Sequence, residues 1–274
     1  MSATATVVVV GTGYVGTRFL RQHANSLGLS RSVHDLDTDD ELAVKLPPSY
    51  AVLYTVPPST DSLADVRLLR LLDKLTPKPQ RFVYISTTGV YGNRDGALVD
   101  EDTAVRPESD RARRRVAAET ALRTWGAEFA IDIVVLRVPG IYGPGRLGID
   151  GLREGAAVIA AEDCGPGNRI HVDDLLTCCS AALATTGPVG IFNVGDGDHR
   201  SSTWFSNEVA RQCGLPPPPA IRMAIAEREF SPMRMSFLRE SRKVSTDKMR
   251  TVLGVSLRYS NAEDGIKASL DGTD

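Results

Sequence analysis

The sequence predicts an α/β fold built on a doubly wound parallel sheet, and three observations predict it. Four β-branched residues, Val7 to Val10, run straight into the glycine turn Gly11-Thr12-Gly13-Tyr14-Val15-Gly16. Apolar strand-like runs then alternate with helical patterns through the first half of the chain, the pattern of a parallel sheet covered on both faces. At 274 residues, 42% hydrophobic and 24% charged, the chain is long enough for one such domain and a small lobe.

The first strand, Val7–Val10, the G-x-G-x-x-G turn and a helix over Tyr14–Leu27 form a diphosphate cradle. Gly11 allows the tight turn, Gly13 lets backbone approach the anion, and Gly16 lets the helix close on the strand. The amides of Tyr14 and Val15 open the helix toward the charge. Dinucleotide binding is the expectation that follows. Next come strand Ser32–Leu36, helix Asp39–Leu46, strand Ala51–Val56, helix Ser62–Leu75, strand Phe82–Ser86, helix Arg111–Trp125 and strand Ile131–Val138. Right-handed crossovers place the carboxyl ends of these strands along one crevice. Those ends carry Gly11, Thr55-Val56-Pro57, Ser86-Thr87 and Pro139-Gly140.

After about residue 140 glycine and proline become dense. Helix Asp173–Ala184 and strand Ile191–Val194 return to the sheet. Helix Thr203–Cys213 stops at Gly214, a residue suited to a helix end. Pro216 to Pro219 form a stiff spacer, and the basic segment Arg222 to Lys243 reads as a lid. The expected division is therefore 1–145 for the dinucleotide-binding part and 146–274 for a mixed part, with sheet elements at about 168–195 and a small lid lobe.

The formal net charge of −2 points away from nucleic acid and anionic membranes. No apolar run reaches the roughly 18 residues of a membrane span, and no export signal precedes the first strand, so a cytoplasmic protein is expected. Cys164, Cys178, Cys179 and Cys213 form no C-x-x-C pair; they read as reduced thiols, with no metal site.

Taken together, Gly11–Gly16, Val83-Tyr84-Ile85-Ser86-Thr87-Thr88-Gly89-Val90-Tyr91-Gly92, Leu136 to Gly145, Arg169 to Leu175 and Phe192-Asn193-Val194-Gly195 resemble the extended short-chain dehydrogenase/reductase proteins, the NAD-dependent epimerase/dehydratase family. The glycine spacing is similar to that of its atypical YeeZ-like subgroup. The resemblance implies a Rossmann-type fold, an NAD or NADP cofactor, and an oxidoreductase or epimerase acting on a small polar or anionic substrate. It places Thr87 where a hydroxyl holds the substrate oxygen. It also implies a Tyr-x-x-x-Lys pair for proton transfer, yet those positions are Arg111 and Arg115. Arginine stays protonated at any working pH and cannot be a general base, though it can hold an anion. Two functional readings stay open: an enzyme of the family type, and a dinucleotide-binding sensor or structural protein that lost its chemistry. A third, lesser reading is an anion-binding hydrolase or isomerase.

The resemblance also shows a shortened region. Only Gly28 to Ser49 is available for what is normally two strands and a helix, so the fold is expected to be one βα unit short. His34-Asp35-Leu36-Asp37 is similar to the family segment beside the adenine, which makes Asp35 and Leu36 cofactor contacts. With Ser32–Leu36 as second strand, Asp35 or Asp37 would accept the ribose 2′-OH hydrogen bond and favour NAD; a solvated turn is the alternative. Tyr91 reads as structural, and His171 as part of a helix entry. Arg239, Arg242 and Lys243 offer a further anion site or a solvated face. Relatives often pair through the helix carrying Arg111–Arg115, which leaves a homodimer open.

Overall fold

The computed structural model of the protein describes residues 6–39, 42 and 45–272. Its sheet has six strands: β1 (Thr6–Val10), β2 (Ser26–Leu29), β3 (Tyr50–Tyr54), β4 (Arg81–Thr87), β5 (Asp132–Val138) and β6 (Gly190–Asn193). Their order is β6-β5-β4-β3-β1-β2, and every ladder is parallel. Residues alternate between the two faces, as the strand period of two demands. On one face Val9, Leu53, Val83 and Leu136 meet Phe19 of α1 (Tyr14–Gln22) and Leu175, Leu176 and Cys179 of α4 (Val172–Leu183). On the other, Val8, Val52, Phe82 and Val135 meet Leu68 and Leu71 of α2 (Val66–Lys74), and Leu122 and Trp125 of α3 (Asp110–Phe129). The fold is thus doubly wound, as its alternating pattern predicts.

Two elements differ from the sequence reading: the first helix, expected to run to Leu27, and the second strand. The second strand is Ser26–Leu29, and residues 32–36 form turns and loop. Helix α1 stops at Gln22, where the His23 ring stacks on Phe19 at 3.9 Å. The chain then enters β2, with Leu29 buried in the core and Leu27 packed against it. Gly28 is a packing residue: a Cβ there would lie 2.8 Å from Leu20 Cδ1 of α1. The expected helix Asp39–Leu46 falls largely on residues outside those described. The other expected strands and helices appear within a few residues of their predicted bounds.

Arg81 ties the two halves of the chain together. It is fully buried at the start of β4. Its guanidinium donates to Ala182 O at 2.6 Å, Gly187 O at 3.2 Å, Asp132 at 3.2 Å and Pro188 O. Helix α5 (Ser202–Gln212) leads to the lid, where α6 (Met223–Glu229) and α7 (Pro232–Leu238) share a small core of Ile159, Ala226 and Met235. The lid chain returns at Lys243–Val244, which pairs with Leu98–Val99. The last helix is α8 (Ala262–Asp271). No helix among the described residues is long and apolar enough to cross a membrane.

Candidate functional site

The glycine turn is folded as a cradle. Gly11 has φ +95°, a left-handed conformation that favours glycine. A Cβ on Gly16 would lie 1.9 Å from Gly11 O, so only glycine lets α1 pack this closely on the turn. Nothing lies within 4 Å of the place a Gly13 Cβ would take; that side of the turn is open. Gly13 is the N-cap of α1, with no side-chain cap bond and no acid in the first turn. The helix N-terminus therefore meets the open side of the turn with no carboxylate of its own, an end that favours an anion. The Val15 side chain is buried in the core, while Tyr14 Oη donates to Pro144 O at 3.0 Å. Thr55 Oγ1 donates to Gly11 O at 2.8 Å and fixes the turn from β3. These residues fit a dinucleotide diphosphate.

A cavity of about 290 Å³ opens beside the cradle, bounded by Gly11–Gly13, the end of β2 and Thr55-Val56-Pro57. Ser30 and Arg31 continue directly from β2 along its wall, and His34, Asp35 and Leu36 close it. The loop carrying them is held by side chains. Asp35 Oδ1 accepts Asp37 N at 3.0 Å, and Asp39 accepts Asp35 N at 2.6 Å. Helix α2 straps the loop from outside: Arg67 makes a two-pronged pair with Asp37, both bonds 2.6 Å, while Arg70 and Lys74 donate to the carbonyls of Asp37 and Asp39. The bonds from Arg67 hold the Asp37 carboxyl below its usual range. Burial, then the charge of Lys74, lowers the pKa of His34.

A second cavity, about 330 Å³, lies over the ends of β4 and β5. Thr87 and Thr88, Pro139 and Gly140 form one wall; Phe237, Glu240 and Arg242 of the lid form another, with Cys164 and Ser202 between. Thr87 Oγ1 accepts the Gly89 amide at 3.1 Å. Ser86 lies inward, its Oγ donating to Glu119 Oε1 at 2.5 Å. Glu119 pairs with Arg137 at 2.7 Å, both about 4% exposed, and Arg137 donates to Tyr91 Oη at 2.9 Å. Tyr91 in turn donates to Asn193 at 2.8 Å. The phenol thus bridges Arg137 and Asn193, and burial raises its pKa.

Arg111 and Arg115 sit one turn apart on α3 and diverge. Arg115 donates to Ile85 O at 2.8 Å and Tyr84 Oη at 3.0 Å, behind β4. Arg111 meets the lid, its guanidinium 3.7 Å from the Phe237 ring centroid and 3.4 Å from Glu240. Of the basic lid residues only Arg242 lines the cavity; Arg239 pairs with Glu227 at 2.9 Å. His171 caps α4, its Nδ1 accepting Asp173 N at 3.2 Å with Ser269 Oγ 3.1 Å from Nε2. All four cysteines are free thiols, and no metal-binding group is found among the described residues. Sequence reasoning missed Arg31, Arg67 and Glu240, whose partners lie far along the chain or in a misassigned segment.

The family profile for the NAD dependent epimerase/dehydratase family matches residues 59–195. The chain belongs to this family. A functionally unknown conserved protein from Silicibacter pomeroyi DSS is 30% identical, with TM-score 0.81 over 98% of this chain and 99% of that one. A dTDP-glucose 4,6-dehydratase of Streptomyces niveus is 25% identical over 201 residues, 70% of this chain. The chain spans only 56% of that dehydratase's length. MoeE5, solved with UDP-glucose and NAD, and RMD from Pseudomonas aeruginosa, solved with NADPH, share the fold at TM-scores 0.76 and 0.71; they are 19% and 17% identical, over 97% of this chain and 98% of each of theirs. The matched segment begins at residue 59, after the glycine turn, β2 and the residues 30–49 that follow it.

Proposed function

We propose that the protein binds NADP(H) along the crevice and acts, slowly, as an oxidoreductase or epimerase on a small polar or anionic substrate above Thr87. The observation that carries the cofactor choice is the end of β2. The adenosine ribose of a dinucleotide lies off that strand end, where an acid suits a free 2′-OH and an arginine suits a 2′-phosphate. Here the strand runs into Ser30-Arg31-Ser32, with the two serine hydroxyls 2.8 Å apart. Asp35 and Asp37 follow later, Asp37 already held by Arg31 and Arg67. With Ser32–Leu36 as second strand an acid would stand at the strand end and favour NAD; with β2 ending at Leu29, Arg31 stands there and supports NADP.

Bound, the nicotinamide supplies hydride transfer. Gly11 to Gly16 would hold the diphosphate, and Ser30 and Arg31 the 2′-phosphate. Thr87 Oγ, whose lone pair takes the Gly89 amide, keeps its own proton to donate to a substrate oxygen. Neither Arg111 nor Arg115 can take a proton. A positioned acid or base contributes roughly 10²–10⁴-fold to such reactions, so turnover without one is slow. Fluorescence titration should give NADPH at least about tenfold tighter binding than NADH, the size of one charge-assisted contact. Arg31→Gln should erase most of that gap. Equal affinities would reverse the cofactor choice, and no binding of either at millimolar concentration would remove the function itself. The ties of Arg115 to Ile85 and Tyr84 favour a second reading, a dinucleotide-binding protein without turnover. NADPH oxidation across a panel of aldehydes and ketones separates the two.

A further inference from the structure

We infer that the cavity above Thr87 is built for a substrate carboxylate, and that the lid residue Glu240 occupies that group's place beforehand. This rests on the proposed function and names its substrate class. Two guanidiniums converge on Glu240. Arg111 Nη2 lies 3.4 Å from Oε1, and Arg242 Nη2 lies 3.0 Å from Oε2. The carboxylate therefore bridges them, one oxygen to each. The Glu240 and Arg242 side chains line the cavity and are 6% and 7% exposed, whereas Arg111, 31% exposed, reaches Glu240 from outside that lining.

The two arginines are not fully used. The Nε atoms of both are buried without a hydrogen-bond partner. Two positive charges face one negative charge, which leaves one unit of positive charge in a partly desolvated pocket. The contacts to Arg111 are the looser ones: both Ser236 Oγ and Glu240 stand at 3.4 Å, the outer limit of a hydrogen bond. Phe237 stacks on the guanidinium face at 3.7 Å, which orients the plane and leaves its edge for in-plane acceptors. An entering carboxylate takes the place of Glu240 on Arg111, while Glu240 stays on Arg242. Each arginine then has its own anion and the excess charge is matched. A planar carboxylate fits because a planar carboxylate already fills the position.

The test is isothermal titration of the full chain loaded with NADP⁺, using pyruvate as probe and inorganic phosphate as control at constant ionic strength. Wild type should bind pyruvate weakly. Glu240→Gln, which removes the internal competitor, should bind it roughly fivefold or more tightly. Arg111→Gln should lose it, and all three proteins should keep the same NADP⁺ affinity. A Glu240→Gln protein with unchanged NADP⁺ affinity and no gain for pyruvate overturns the inference. So does phosphate binding that depends on Arg111 where pyruvate binding does not. If Glu240→Gln does not fold, Arg111→Gln decides alone, since it leaves the Arg242–Glu240 pair in place: undiminished pyruvate affinity overturns the assignment. Failure of the wild type to bind NADP⁺ counts against the function proposed above, separately from the anion site.

Discussion

At the scale of single residues, Asp196 sets a pH dependence. It is 2% exposed, accepts the Asp198 amide at 2.8 Å, and has one carboxylate oxygen without a partner. Burial pushes its pKa up to about 7, against the pull of the Asp198 amide and Arg169. Between pH 4 and 7 the unfolded chain has already lost this proton while the folded chain retains it. The folded state therefore binds more protons, and the contribution of Asp196 to stability falls as pH rises through that window. The contribution is on the order of 4 kcal/mol at most. Urea midpoints of wild type should decline between pH 5 and 8 relative to Asp196→Asn, whose curve should be flatter. Two parallel curves would show that the carboxyl titrates normally.

At the scale of elements, the strap from α2 is the feature to disturb. Arg67, Arg70 and Lys74 follow one another along one helix side and hold the loop that walls the cavity beside the glycine turn. Arg67→Gln removes the two-pronged bond to Asp37 and should weaken dinucleotide binding by about five- to tenfold, roughly the worth of one charge-assisted pair. The readout is the NADPH dissociation constant; a value equal to wild type would show that the loop is held by other contacts. Elements differ in how openly the sequence declares them. Val7–Val10 and Phe82–Ser86 are legible because strands covered on both faces need unbroken apolar runs. The glycine turn is legible because close backbone approach restricts the residue type locally. β2 is hidden: it has four residues, of which Ser26 and Leu27 read as the end of the first helix and Gly28, whose small size serves α1, as the start of a loop. The Arg67–Asp37 and Arg111–Glu240 pairs are hidden for another reason, since residues 30 and 129 apart in sequence meet only through tertiary packing.

At the scale of the whole molecule, we predict that the first 145 residues do not fold on their own. Arg81 is buried in the sheet, and three of its four acceptors are carbonyls of Ala182, Gly187 and Pro188. Removing them strips three hydrogen bonds from the guanidinium, each worth roughly 1.5–3 kcal/mol to a charged group, and leaves it only the pair with Asp132. Strand β6, one edge of the sheet, and helix α4, which packs on one face, go with them. A fragment of residues 1–145 should show no cooperative thermal transition by circular dichroism, while the full chain does; a sharp fragment transition would refute this. The open margins of the sheet carry a different lesson. Both outermost strands, β2 and β6, are four residues long. A foreign backbone seeking to extend the ladder finds at most a few amide partners on either side, the short-edge device that guards against sheet-to-sheet aggregation. Copies of this protein that associate must do so side chain to side chain across helices, which favours discrete, countable assemblies over fibres.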